Sequence, residues 1–234
     1  MRISARPAAA ALVSLLLLLP LASCTPGSGE PAAHPCGLGA DSREDALVRE
    51  VLARESYETQ VLDSTSALAK TMEQALPSIG PKKTSFGANA CAYKRIVDLD
   101  IAHMVLVAGW VLRGSEGRPY FDDVAYELNG VRGLTNIGVS EFGLTTASRS
   151  NLLIPCDLPG KLAARSRKVW LEAELRYTFS PRRLELDQAA KDSRMTLTYL
   201  LARRVTDALG CENQPLAKPP VVEPLPAPAR ADAP

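Results

Sequence analysis

Asp98 and Asp100 form a D-x-D pair just ahead of the apolar run 104–112. Two carboxylates on one face of a strand end can hold a hard cation through oxygen ligands, and Asp122 with Asp123 could join them. No third ligand at the spacing of a calcium loop accompanies them, so solvated turn residues are the plainer reading and no metal or cofactor is assigned. His103 lies beside the same apolar run and could act as an acid or base. Without a Ser, Cys or Asp partner in a recognisable pattern it reads as a half-buried structural residue, and His34 falls in a Pro/Gly-rich stretch. Trp170 is an aromatic residue on the polar side of an otherwise alternating segment, marking either a loop-covered spot or a contact surface. Gly138 to Gly143 does not have G-x-S-x-G spacing and reads as a loop. Asp98, Asp100, His103 and Trp170 are therefore candidate binding residues, and no residue is assigned a catalytic role.

One cysteine has a sharper context. Arg2 and Arg6 give a positive start, Ala8 to Leu19 an apolar core, and Leu21-Ala22-Ser23-Cys24 a box of small residues ending in a thiol. The apolar run breaks at Pro20, well short of the roughly 20 residues a spanning helix needs. This leader resembles a bacterial lipoprotein signal peptide. The resemblance implies that Cys24 receives a diacylglyceryl group, becomes the first residue of the mature chain, and holds the protein on the extracytoplasmic face of the cell membrane. One acyl chain anchors marginally at about 0.8 kcal/mol per buried methylene, so stable attachment requires two or three. With its Ala/Arg/Leu/Pro-rich composition the chain also resembles the uncharacterised lipoproteins of actinomycetes, a likeness that brings no activity with it.

Without residues 1–23, 25 Lys and Arg remain against 26 Asp and Glu, since Arg2 and Arg6 leave with the leader. A balance so near zero gives no basis for nucleic-acid binding or for an electrostatic grip on anionic lipid. Residues 24–35 are small, polar and rich in Pro and Gly, the composition of a flexible tether. Residues 214–234 hold seven prolines and read as a disordered, extended tail. Between them, 36–213 is long enough for a single well-buried domain.

That domain carries Cys36, Cys91, Cys156 and Cys211, an even count with no C-x-x-C pair, which favours two disulfides over zinc or redox chemistry. Three pairings exist on paper. The alternation of Lys168 to Phe179 predicts a long antiparallel strand with one wet face. Leu197, Leu201, Val205 and Leu209, followed by Gly210, predict a helix over 187–209. The strand rises about 35–40 Å and the helix returns about 34 Å, bringing Cys211 back to the end where Cys156 precedes the strand. This predicts Cys156 with Cys211 and, by elimination, Cys36 with Cys91.

Met104 to Leu112 is apolar on both faces and predicts a central strand, with 114–117 as a hairpin turn into a partner strand over 119–128. Ile96 to Leu99 and Asn151 to Ile154 are shorter candidate strands. Asp41 or Ser42 can cap a helix carrying Val48, Val51 and Leu52, and Leu68, Met72, Ala75 and Leu76 form a second stripe ended by Pro77, in one bent helix or two. Strands bracketed by helices predict an α+β domain: an antiparallel sheet with helices packed on one face. The expected function is that of a membrane-anchored, non-catalytic binding module for an envelope protein, a wall polymer or a small ligand. The alternatives are a cell-envelope hydrolase with a dispersed active site, which a pocket joining His103 to Asp98 or Asp100 would favour, and a structural envelope spacer.

Overall fold

The computed structural model describes residues 35–53, 56–97, 100–115, 124–129, 131–139, 146–179 and 187–225. The leader with Cys24, the tether up to residue 34, Asp98, the Asp122-Asp123 pair and residues 226–234 lie outside them. The fold is α+β. Seven strands, β1 (Glu58–Val61), β2 (Ser85–Val97), β3 (Asp100–Leu112), β4 (Val124–Leu128), β5 (Val131–Val139), β6 (Thr146–Ile154) and β7 (Val169–Phe179), form one sheet in the order β1-β2-β3-β7-β6-β5-β4. Every neighbouring pair is antiparallel.

β3 lies inside the sheet, third of the seven strands, as a run apolar on both faces requires. Its C-terminal neighbour is β7, not the strand that follows it in sequence. The chain instead crosses to the far edge at β4, returns through β5 and β6, and inserts β7 against both β6 and β3. The expected β3–β4 hairpin is thus incorrect. β7 matches β3 over Ala102 to Leu112 with alternating apolar side chains on the same face, more buried contact than the five-residue β4 could supply. A tight hairpin instead joins β4 to β5 at Leu128–Val131, where Asn129 takes φ 54°.

Helices α1 (Arg43–Leu52), α2 (Thr65–Ala75) and α4 (Gln188–Leu209) cover one face of the sheet, and the single turn α3 (Ala163–Ser166) leads into β7. Each begins on a side-chain cap: Ser42 accepts from the Asp45 amide, Ser64 from Ala67 and Asp187 from Ala190. α4 stops at Gly210, whose φ of 66° a side chain would oppose. The two N-terminal stripes are separate helices, with β1 between them. Between helices and sheet lie Met104, Leu106, Trp110, Leu171, Leu175 and Tyr177, packed on Val48, Met72, Leu197 and Leu201. Trp110 is fully buried, and its indole N–H donates at 2.8 Å to the Met72 carbonyl, which also accepts the Leu76 amide at the end of α2.

Both disulfides pair as the strand–helix return requires, Cys36–Cys91 and Cys156–Cys211, with Cα separations of 5.4 and 5.1 Å. Each closes a 55-residue loop, for which the chain-entropy treatment gives about 4 kcal/mol of stabilisation. The first ties the lead into α1 to the inner face of β2; the second ties the end of α4 to the chain leaving β6.

The free tail expected from residue 214 onward needs correction as far as residue 225. Leu216 is buried, Tyr199 donates its hydroxyl to the Lys218 carbonyl at 3.1 Å, and Asn129 donates to Pro219 at 3.1 Å. Pro224 then bridges Tyr126, and the Leu225 amide donates to Ala125 at 2.8 Å. Proline lacks the donor that a ladder needs, yet its carbonyl can accept from a side chain, so the segment follows the β4 edge without becoming a strand.

Candidate functional site

The sheet's other face carries none of these helices. Cross-strand register sets its rows: Lys94–His103–Thr178 at one end, then Ala92–Val105–Arg176–Arg149, Asn89–Val107–Glu174–Asn151 and Gly87–Gly109–Glu172–Leu153, and finally Ser85–Val111–Trp170. His103 and Trp170 therefore occupy opposite ends of one face, eight residues apart along β3, or roughly 27 Å at strand rise. Asp100 opens β3 opposite Val97, at the hairpin end nearer His103. The structure places these candidates along the same sheet without gathering them into one site. Among the described residues no three His, Cys, Asp or Glu side chains are grouped to hold a metal ion.

Each end has its own chemistry. Burial and the neighbouring Lys94 ammonium hold the His103 imidazole below its ordinary pKa, favouring the neutral ring. At the other end the Arg113 guanidinium lies 3.9 Å from the Trp170 ring centroid while its Nε–H donates to the Val169 carbonyl at 3.1 Å. Trp170 is thus accommodated among polar neighbours as the platform of a cation–π pair.

Between the ends stands a feature that alternation alone mistook for a wet face. Glu174 is buried, between Val107 and Asn151, and Glu172 is half-buried between Gly109 and Leu153. Arg176 binds Glu174 through Nε and Nη2 at 3.1 and 2.9 Å, and Asn151 donates to Glu172 at 3.2 Å. Burial raises the pKa of Glu172 and the Glu174 charge adds to it, against the opposing Asn151 hydrogen bond. Glu174 in turn raises the pKa of Arg176. The floor beside Glu172 is the pair Gly87 and Gly109, where a Cβ on Gly109 would collide with the Phe86 carbonyl oxygen. A carboxyl biased toward protonation, an ion-paired carboxylate, an amide and an indole thus share a side of the sheet. Together they can donate and accept hydrogen bonds and offer a flat ring for stacking.

A second polar group lies on the inner face. Arg194 of α4 is buried over the Tyr177 and Phe179 rings, 4.6 and 4.9 Å from their centroids, and donates to Ser148. Thr135 donates to Ser150 at 3.2 Å beside it. The Tyr177 hydroxyl is buried without a hydrogen bond of good geometry, although the Thr198 and Ser150 hydroxyls lie beside it. Desolvation raises its pKa. Sequence spacing contained the signal for Arg194, since 194, 197, 201 and 205 follow one helical stripe. A charged residue on a buried stripe is the kind of position that needs an explanation.

Comparison with family models, with curated proteins and with solved structures finds no match to this chain.

Proposed function

We propose that the protein is a lipoprotein held on the extracytoplasmic face of the cell membrane through acylated Cys24, with one disulfide-braced domain that binds an envelope protein or wall polymer. The observation that carries this reading is the partition of the cysteines. Of five, four pair within the domain, and the one outside those bonds is the thiol of the lipoprotein-like box. Two disulfides also fit an oxidising compartment. No described helix is long and apolar enough to cross a membrane, so the reading assigns attachment to lipid alone. The test is metabolic labelling with a fatty-acid analogue in the native host. Label on the wild-type chain and none on Cys24→Ala supports the anchor, whereas an unlabelled mature chain starting at another residue rejects it. Capture from membranes with the anchor retained then identifies the bound component.

One observation favours an envelope hydrolase instead. Glu172 and Glu174 are side by side on β7, Glu172 pushed toward its protonated form by burial and Glu174 ion-paired with Arg176, and cleavage of a glycosidic bond uses a pair of carboxyls of which one acts as the general acid. Release of reducing sugar from cell-wall glycan by the wild type, abolished in Glu172→Gln at unchanged fold, would replace the binding reading.

A further inference from the structure

The groove along β4 is already filled, and what fills it shows what it recognises. Asn129 and Tyr199 act as a pair: the Asn129 amide donates both to the Tyr199 hydroxyl at 3.3 Å and to the Pro219 carbonyl, and the Tyr199 hydroxyl donates a hydrogen bond to the Lys218 carbonyl. Two consecutive carbonyls are thereby read by side chains fixed in the hairpin and in α4. The Ala125 carbonyl takes the Leu225 amide further along the edge, and Leu216 enters an apolar seat. A site that mainly donates to carbonyls suits a segment whose prolines have no N–H to satisfy, and such segments arrive already extended.

The occupant is lightly held. From 214 to 225 only Leu216 is buried, and Val221 and Leu225 are two of the four exposed large apolar side chains among the described residues. Its root, by contrast, is fixed: Cys211 is disulfide-bonded, and Asn213 accepts from the Asp157 amide at 3.0 Å and donates to Pro155 at 2.7 Å. Between root and occupant sits Gln214 at φ 39°, a left-handed turn that few side chains adopt without cost. A firm root, a strained pivot and a sparsely buried arm are the parts of a segment that opens locally while the domain stays folded.

We propose that this groove recognises an extended proline-rich segment of a partner protein, and that residues 214–225 occupy it in cis until such a segment displaces them. The site is independent of the lipid anchor and stands whether or not Cys24 is acylated. The test uses the full chain and a fluorescent peptide of its own residues 214–225. Leu216→Asp loosens the arm without altering the groove, so this variant is expected to bind the peptide at least tenfold more tightly than the wild type, whose tethered arm competes at high effective concentration. Adding Asn129→Ala should weaken that binding severalfold. Absence of peptide binding by a folded L216D chain overturns the proposal. A peptide-sensitive dimer in sedimentation also overturns it, by assigning the groove to a second copy. Should L216D lose its fold, hydrogen exchange on the wild type decides the question. Leu225 exchanging at least tenfold faster than Leu106, and faster still with excess peptide, supports displacement; equal rates mean that the arm leaves only on global unfolding.

Discussion

The two faces of the sheet contain the same alternation and put it to different uses. On the inner face the apolar positions of β3 and β7 are sealed by three helices, and Trp110 is buried with its one donor satisfied. On the outer face no helix packs among the described residues, yet Val107, Val111, Leu153 and Glu174 are each no more than 9% exposed. There the polar side chains pair with one another across the strands, Arg176 with Glu174 and Asn151 with Glu172. The difference teaches that a face can be apolar at Cβ level and polar at its surface, which suits recognition better than stability.

The two tryptophans offer the largest test of that contrast. Trp110→Ala should cost about 3–5 kcal/mol in chemical denaturation, because it empties a closed core position and removes the indole hydrogen bond to the Met72 carbonyl. Trp170→Ala should cost only about 1–2 kcal/mol, the range of a half-buried cation–π pair. Equal losses would mean that the outer face is packed like the inner one.

Two titrations sharpen the picture with smaller effects. The Glu172 pKa is raised by folding, so the folded state holds the proton more tightly and stability falls as pH rises from about 4.5 through the folded value. Glu172→Gln should therefore be more stable than wild type at neutral pH, with the gain fading below pH 4.5; an unchanged melting temperature at pH 7 would remove Glu172 from the buried set. His103 has the opposite sign. Its pKa is lowered, so the unfolded chain binds the proton better and stability is lost as pH falls from about 6.5 toward the folded value. His103→Gln should flatten that limb slightly, and a profile identical to wild type would show the ring to be solvated.

Local signals explain which parts of this architecture could be read in advance. α4 announces itself by an apolar stripe between Asp187 and Gly210, β7 by eleven alternating residues, and those two elements carry the disulfide pairing. β2 is 13 residues long, but only its last residues were legible as a strand. A bulge between Asn89 and Cys91 shifts the register, so Phe86 and Ala88 face inward on one parity and Cys91 and Tyr93 on the other, defeating any period of two read across it. The glycine-rich turn after β3 looked like a hairpin because turn chemistry is local, whereas the choice of β7 as partner depends on residues some 60 positions away. Asn129-Gly130 was the better hairpin signal. The outer carboxylates were hidden for a related reason: alternation tells which face a residue occupies, not what its neighbours will cover.

The disulfides also fix how the domain would respond to being pulled. Tension on the N-terminus enters at Cys36 and passes directly to Cys91 in β2, while tension on the C-terminus passes from Cys211 to Cys156. α1, β1 and α2 on one side and β7 with α4 on the other are therefore bypassed by the covalent load path. Only the 65 residues from Cys91 to Cys156 can pay out, limiting extension of the bridged region to about 220 Å. An oxidised domain is thus a short, stiff link between its two ends, and reduction would turn it into one more than twice as long.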